Sequence, residues 1–384
     1  MIRPSLAPDY RSLEFPVPRV PSAEPTSQPA RPRLSRRRLV ARRAVLLFAG
    51  AYVVATVGFA VALDVRLPKL RYPEYGQRAA ALLQLQAQHP DRPLVVAVGS
   101  SRTQMGLDPG AMGFADRPGS PLVYNCGLVG ALPVHHPLGY GRLRNAGVRP
   151  AAVVCEIFPA LLGVEDATAT LYADDGAGLT AAELVQLAPD MRGPRTALAW
   201  ARSRVGAWGA FRREFHRQQL PRWSDPAAGA TYERMWVPDG RGYRPMGDRV
   251  TDADRERGTD KALGAYVHLC RNLQVAPAAE RAYRELVAAC RADGVPVAFV
   301  LTPEAPLFHR CYTPTARAEL TRFVRLLEVE LGAPVFDQWG GWDEADFFDG
   351  HHLLSGGATK YSRRLADRHL RPWLATIFPH GDGR

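Results

Sequence analysis

The hydrophobic pattern changes three times along this chain, and each change predicts a different kind of structure. Residues 1–43 show no apolar period and are rich in Pro, Ser and Arg, the composition of a disordered tail. From Ala44 to Leu63, twenty successive residues (AVLLFAGAYVVATVGFAVAL) carry no charge. At ~1.5 Å rise per residue that run is about 30 Å long, the thickness of a bilayer core, so a transmembrane helix is predicted over residues 44–64. Residues 65–384 alternate short apolar runs with helical periods.

Within this third region, Leu94–Val98, Leu122–Cys126, Ala151–Cys155, Val297–Leu301 and Pro334–Phe336 read as strands. The first is apolar throughout, as a central strand of a parallel sheet must be. Helical periods fall at Glu74–Gln88, about His135–Ala146, Pro277–Asp293 (with a Pro start and a Gly294 stop), Thr313–Leu331 and Gly357–His369. Strands alternating with helices predict an α/β fold, a doubly wound, flavodoxin-like parallel sheet with right-handed crossovers. Its active site is expected at the carboxyl ends of the strands. Residues 160–262, approximately, break the alternation and read as an insertion. Helical pieces at Ala181–Leu187 and Arg195–Gln218 lead into a Pro/Gly-rich loop. Four of the seven Trp (Trp200, Trp208, Trp223, Trp236) lie here with Phe211, Phe215, Tyr232 and Tyr243. These aromatics fit either a lid or sugar-binding surface or the core of a helical cap; the core is the expectation.

The net charge of +11 suggests nucleic acid until its distribution is examined. Residues 1–43 hold ten Arg and three acids, so +7 sits in the tail and only +4 in the remaining 341 residues. Arg36, Arg37, Arg38, Arg42 and Arg43 crowd the N-terminal side of the apolar run, with Arg66, Lys69 and Arg71 beyond it. This asymmetry puts the tail in the cytoplasm and residues 65–384 outside, with no nucleic-acid partner expected. A cleaved signal is the rival reading, since Ala60-Val61-Ala62 resembles a small-residue cleavage site; an uncleaved anchor is expected because the run is long for a signal. The five Cys are an odd number: Cys126 and Cys155 end apolar runs as packed thiols, and two of Cys270, Cys290 and Cys311 have the option of one bridge.

The chemistry gathers at two motifs. The first strand ends in Gly99-Ser100-Ser101-Arg102-Thr103, and far downstream lies Asp349-Gly350-His351-His352-Leu353. Ser101 at a tight turn is the candidate nucleophile, with its own N–H facing the developing oxyanion. His352 is the candidate base, and Asp349 the carboxylate that orients it. Taken singly, Ser101 fits a turn hydroxyl and Asp349 a helix cap; together at two strand ends they favour serine acyl transfer. No metal or cofactor is expected. His135-His136 and His351-His352 are adjacent pairs that point apart on a helix, and no H-E-x-x-H, Cys-x-x-Cys or phosphate loop is present.

These motifs resemble the SGNH (GDSL-like) hydrolase superfamily in its membrane-anchored, envelope-acting branch. Similar members are the alginate O-acetyltransferases and the D-alanyl transfer protein of teichoic acid synthesis. Gly99-Ser100-Ser101 matches the Gly-Asp-Ser block and selects Ser101 over Ser100. Asp349-Gly350-His351-His352-Leu353, followed by Gly357-Ala358, matches the closing Asp-x-x-His block and selects His352 over His351. Asn125-Cys126-Gly127-Leu128-Val129-Gly130 matches the second block, implying an oxyanion donor at Gly130, with Gly127 second. The third block, commonly Gly-x-Asn-Asp, is here Cys155-Glu156-Ile157-Phe158-Pro159 and lacks the Asn donor. Asn125 is the candidate substitute, and Arg102 joins it in the expected substrate-binding set. The resemblance spans residues 93–130, 150–159 and 295–370. It implies a membrane-anchored serine esterase or O-acyltransferase acting on an envelope or extracellular glycan, with an acyl-ester substrate and a membrane-bound partner supplying the acyl donor. The alternative is a non-catalytic SGNH-like domain that binds glycan or assembles a polysaccharide pathway.

Overall fold

The computed structural model describes residues 36–166, 175–219 and 239–378. The tail up to residue 35 and Trp223, Tyr232 and Trp236 of the insertion lie outside the described residues. The apolar run belongs to one helix, α1 (Arg36–Val65), whose residues 36–55 are exposed. It is long and apolar enough to cross a membrane, with none of its most apolar stretch buried. Residues 53–384 form a compact unit around a sheet.

Five strands, β1 (Leu94–Val98), β2 (Leu122–Asn125), β3 (Ala152–Ile157), β4 (Val297–Leu301) and β5 (Val335–Asp337), make one all-parallel sheet in the order β2-β1-β3-β4-β5. Every residue of β1 and β3 is buried, as their unbroken apolar sequences require. Successive side chains alternate between faces, and the two faces feed separate cores. Val96, Val98, Val153, Cys155 and Phe299 enter one core. This core is covered by α2 (Pro73–Gln88), α4 (His135–Asn145), α8 (Pro277–Ala292) and α9 (Pro314–Arg325). Val95, Ala97, Val154, Ala298 and Val300 enter the other, covered by α10 (Ser355–Leu365) and the helix Arg371–Ile377. Each fully buried aliphatic side chain contributes about 1.5–3 kcal/mol, so the central strands are fixed strongly in register.

The chain leaves β1 toward one edge, makes β2, then crosses to β3 on the other side of β1. This reversal opens a crevice at the carboxyl ends of β1 and β3. Between β1 and β2 lies α3 (Ser101–Gly106), a short helix that begins at the crevice.

Several expected elements are corrected. The third strand runs two residues further than predicted, which makes Glu156 a strand residue at the crevice. The helix expected over Arg195–Gln218 is two helices, α5 (Arg195–Val205) and α6 (Ala207–Gln219), broken at Gly206. A long helix, α7 (Asp252–Arg271), stands where a loop was expected. Its first turns (DADRERGTDK) carry charge on all sides and hide the period, and its start is marked by Thr251, whose side chain accepts from Asp254 N–H. The five cysteines are all unpaired, so no bridge joins Cys270, Cys290 and Cys311. Burial pushes the Cys126, Cys270 and Cys290 thiols up to about 12, making them packing residues and not reactive groups. The insertion's aromatics divide: Phe211 and Tyr243 are buried, while Trp208 remains 50% exposed.

Candidate active site

The turn after β1 is built around a buried carboxylate. Ser100 caps α3, its Oγ accepting from Arg102 N–H at 3.2 Å, and Ser101 is the first helical residue. Glu156, at the end of neighbouring β3, accepts from Ser100 N–H, from Ser100 Oγ at 2.9 Å and from Thr103 Oγ1 at 2.6 Å. One carboxylate thus holds the residue before Ser101 by its backbone and hydroxyl, and Thr103 beyond it by its side chain. Gly99 is required by this approach: a Cβ there would lie 2.1 Å from Thr103 Oγ1 and 2.3 Å from Glu156 Oε2.

The second motif is the tip of a narrow turn before α10. Leu354 N–H donates to Asp346 O at 2.9 Å, Phe347 bridges Leu353, and Phe348 N–H donates to His352 O at 2.8 Å. Asp349, Gly350, His351 and His352 close the tip. Gly350 has φ +83°, and a Cβ there would lie 2.7 Å from the Phe308 ring, so both conformation and space demand glycine.

These turns bring the three predicted residues together. Ser101 Oγ lies 2.8 Å from His352 Nε2, and His352 Nδ1 lies 2.8 Å from Asp349 Oδ2. His352 N–H also donates to Asp349 Oδ1 at 2.8 Å, locking the carboxylate to the residue it orients. Burial opposes the charge on Asp349. Hydrogen bonds from His352 and the two adjacent imidazoles outweigh it and hold the carboxyl well below the usual carboxylate range. A charged Asp349 favours the tautomer with the proton on Nδ1, which leaves the Nε2 lone pair to accept from Ser101 Oγ–H. Exposure grows along the relay: Asp349 is buried, His352 is 16% exposed at its side chain, and Ser101 is partly open.

Contrary to the expected divergence of the pair, His351 stays beside the relay, its ring 4.1 Å from that of His352 and its Nδ1 3.3 Å from Asp349 Oδ1. Its ring stacks on Phe158 at 5.9 Å, meets Tyr266 edge-on at 5.1 Å and packs against Phe308. Burial pushes its pKa well below the ordinary histidine range, so it packs as a neutral ring. Asp349, His351 and His352 offer ligand atoms within 4.8 Å of one another, the spacing a metal ion needs. A cation there would take Asp349 Oδ2 and His352 Nδ1 from their mutual bond and dismantle the relay.

The remaining predicted residues serve the scaffold more than the crevice. Asn125 is fully buried: its amide donates to Thr103 O at 2.7 Å and Leu107 O at 2.6 Å, and its Oδ1 accepts from Gly127 N–H at 2.9 Å. That network latches α3 to the end of β2 and commits both the Asn125 amide and the Gly127 N–H, so neither is available to an oxyanion. Arg102 turns inward. It pairs with Glu304 at 3.2 Å, donates to Thr302 O and Pro303 O, and lies 4.1 Å over the Phe158 ring. Gly130, with φ +74°, lies in the loop after β2 and lines a small cleft with Tyr72, Tyr75, His135 and Arg142. Leu128 N–H, in the same loop, donates to Gly99 O at 2.8 Å and joins it to the Ser101 turn.

Two acids missed as site residues organise all of this. Glu156 was legible as a single charge inside an apolar strand. Glu304 follows β4 and is 1% exposed. It accepts from Arg102, from Tyr312 OH at 3.1 Å and from Trp339 Nε1 at 2.7 Å. The neighbouring Ala305 N–H donates to Gly350 O at 2.9 Å, so this network joins the serine helix to the histidine turn. Glu304→Ala is expected to cost about 3–5 kcal/mol, because it strands the Arg102 guanidinium without its partner. A thermal melt of the full chain checks this, with Glu304→Gln losing less.

No protein-family model matches the chain, and no curated protein matches it.

Proposed function

We propose that the protein is a membrane-anchored serine esterase or O-acyltransferase with an SGNH-type, doubly wound fold, acting on an envelope or extracellular glycan. The observation that carries the reading is the Ser101–His352–Asp349 relay, with both heavy-atom distances at 2.8 Å, at the carboxyl end of a parallel sheet. The strand order 2-1-3-4-5 and the site beside its reversal support the fold assignment. The Arg-rich start of α1 and the charge-free run after it support an anchor with residues 65–384 outside the cytoplasm.

In this reading His352 Nε2 takes the Ser101 proton as Oγ attacks the ester carbonyl. The tetrahedral oxyanion collapses, the leaving alcohol receives that proton from His352, and an acyl-Ser101 ester remains. An entering hydroxyl, from water or from a sugar, gives its proton to His352, attacks the acyl carbon and restores Ser101. The identity of that hydroxyl separates esterase from transferase. Ser101 N–H, in the first turn of α3, faces no intrahelical acceptor and supplies one oxyanion donor.

One observation favours the non-catalytic alternative. The third block, Cys155-Glu156-Ile157-Phe158-Pro159, has no Asn to donate to an oxyanion, and the Glu156 carboxylate within it only accepts, from Ser100 and Thr103. Exposure of the full chain in detergent to p-nitrophenyl acetate discriminates the two. The enzyme reading predicts a burst of nitrophenolate and an acetylated Ser101 peptide by mass spectrometry. Neither burst nor acetylated Ser101 in folded protein supports the binding domain instead.

A further inference from the structure

The insertion contains a helical pair that the proposed chemistry leaves unused. α5 and α6 pack on the last turns of α1, and the contacts are specific. Phe59 of α1 meets Trp208 at 5.8 Å and Phe215 at 6.3 Å, both edge-on. Leu63, Leu70, Ala207 and Phe211 form a buried cluster beneath them. The acid that ends the apolar run, Asp64, accepts from Arg204 at 2.9 Å and pairs with Arg71 at 3.5 Å. Arg204 also donates to Ala177 O and Leu179 O, so one side chain joins α5, the chain at 177–179 and the end of α1. Gln218 donates to Lys69 O at 2.9 Å and fixes the far end of α6.

This packing sets the depth of the pair. Phe59 lies four residues before Leu63, the last residue of the charge-free run, so its ring sits ~6 Å inside that run along the helix axis. A helix packed beside Phe59 is therefore held at the level where interfacial helices lie, with apolar faces ~5–10 Å into the headgroup boundary. Side chains there match that location. Leu198, Val205 and Trp208 are exposed at 49%, 76% and 50%. Trp is the residue most suited to the membrane–water boundary. Residues 195–219 hold six Arg against one acid, Glu214, and Arg195, Arg202, Arg212 and Arg213 are exposed. Such a cationic, apolar-tipped surface suits anionic phospholipid headgroups.

We infer that α5 and α6 form a docking surface for the bilayer interface, with Val205 and Trp208 inserted among the lipids and the exposed arginines on acidic headgroups. The inference rests on α1 crossing the membrane. Its consequence is that residues 65–384 do not swing on a tether: the clamp at Asp64 and the two helices hold the unit at a fixed height above the lipid.

The test uses the full chain in nanodiscs of phosphatidylcholine mixed with phosphatidylglycerol. Nitroxide labels are placed one at a time at Val205→Cys, Leu198→Cys, Val53→Cys in α1, and Val329→Cys, an exposed position outside the insertion. Cys311, the one cysteine that is not buried, is replaced by Ser throughout. Collisions with oxygen report lipid, and collisions with a water-soluble nickel chelate report solvent. The expected result is an oxygen-to-nickel ratio several-fold higher at 205 and 198 than at 329, approaching that at 53. Labels at 205 and 198 as open to nickel as the label at 329, with 53 in lipid, would overturn docking while leaving the anchor intact. Low collision with both reagents at 205 and 198 would assign the face to a protein partner and also overturn it. A water-exposed label at 53 would overturn the anchor and docking with it.

Discussion

Ser101→Ala is expected to abolish acyl transfer, and His352→Ala to come close to the same loss. In the proposed mechanism the two residues act as one unit, because Ser101 Oγ and His352 Nε2 lie 2.8 Å apart and the proton passes between them. Removing either member of the best-studied serine triad costs on the order of 10⁶ in kcat. Asp349→Ala is expected to cost less, on the order of 10⁴, since the carboxylate touches the base and not the substrate. These losses should appear in kcat with KM little changed, because none of the three groups is needed to hold the substrate in its ground state. Steady-state rates for the three variants, each checked for an unaltered melt, test this ranking. A Ser101→Ala variant retaining more than a trace of activity would place the nucleophile elsewhere.

Acid is expected to destabilise the fold well above the pH at which its carboxylates titrate. His136 and His351 are each 6% exposed. Burial lowers His136 to about 4 and holds His351 well below the ordinary histidine range. Next to His136, burial also lowers His135, to about 3. In the unfolded chain each regains a pKa of ~6.5, so the unfolded state binds more protons as pH falls. The stability these histidines contribute is complete above ~6.5 and declines as pH falls below it. At pH 5 the loss is about 2 kcal/mol for each of His135 and His136, roughly 4 kcal/mol together, and His351 acts in the same direction. That is a large fraction of the about 5–15 kcal/mol that holds a typical domain together. Asp349 acts in a different window. Its folded pKa is depressed, so its contribution is present above ~3.9 and is lost only as pH falls further. Melting temperature measured from pH 8 to pH 4 should therefore fall from about pH 6.5 downward, and His351→Leu should flatten part of that slope. A melting temperature that holds constant to pH 4.5 would contradict the buried, neutral histidines.

The parts that were legible in the sequence are those with a short-range signature. β1 and β4 were bounded to the residue because each is an unbroken apolar run between polar turns, as strands inside a parallel sheet are. The relay residues were visible because their spacing fits one turn and their strand ends face one crevice. What remained hidden depends on contacts far apart in the chain. Asn125 reads as an oxyanion candidate until its amide is seen bonded to Thr103 O and Leu107 O. Arg102 beside the nucleophile reads as a substrate cation, yet its partner Glu304 stands 202 residues away. Glu156 reads only as part of a block that lacks an Asn, although its carboxylate is what fixes the turn at Ser101. α7 was lost because its charges surround the helix, and only the Thr251 cap announced it. The break at Gly206 was lost because Arg195–Gln218 keeps a helical period on both sides of it.

The most direct measurement of the central claim is covalent labelling of the full chain, folded in detergent, with a fluorophosphonate followed by peptide mapping. The account predicts one label per chain, on Ser101, formed at a rate that collapses in His352→Ala and disappears in Ser101→Ala. Folded protein that takes no label, or that takes it with equal speed in the presence and absence of His352, would contradict it.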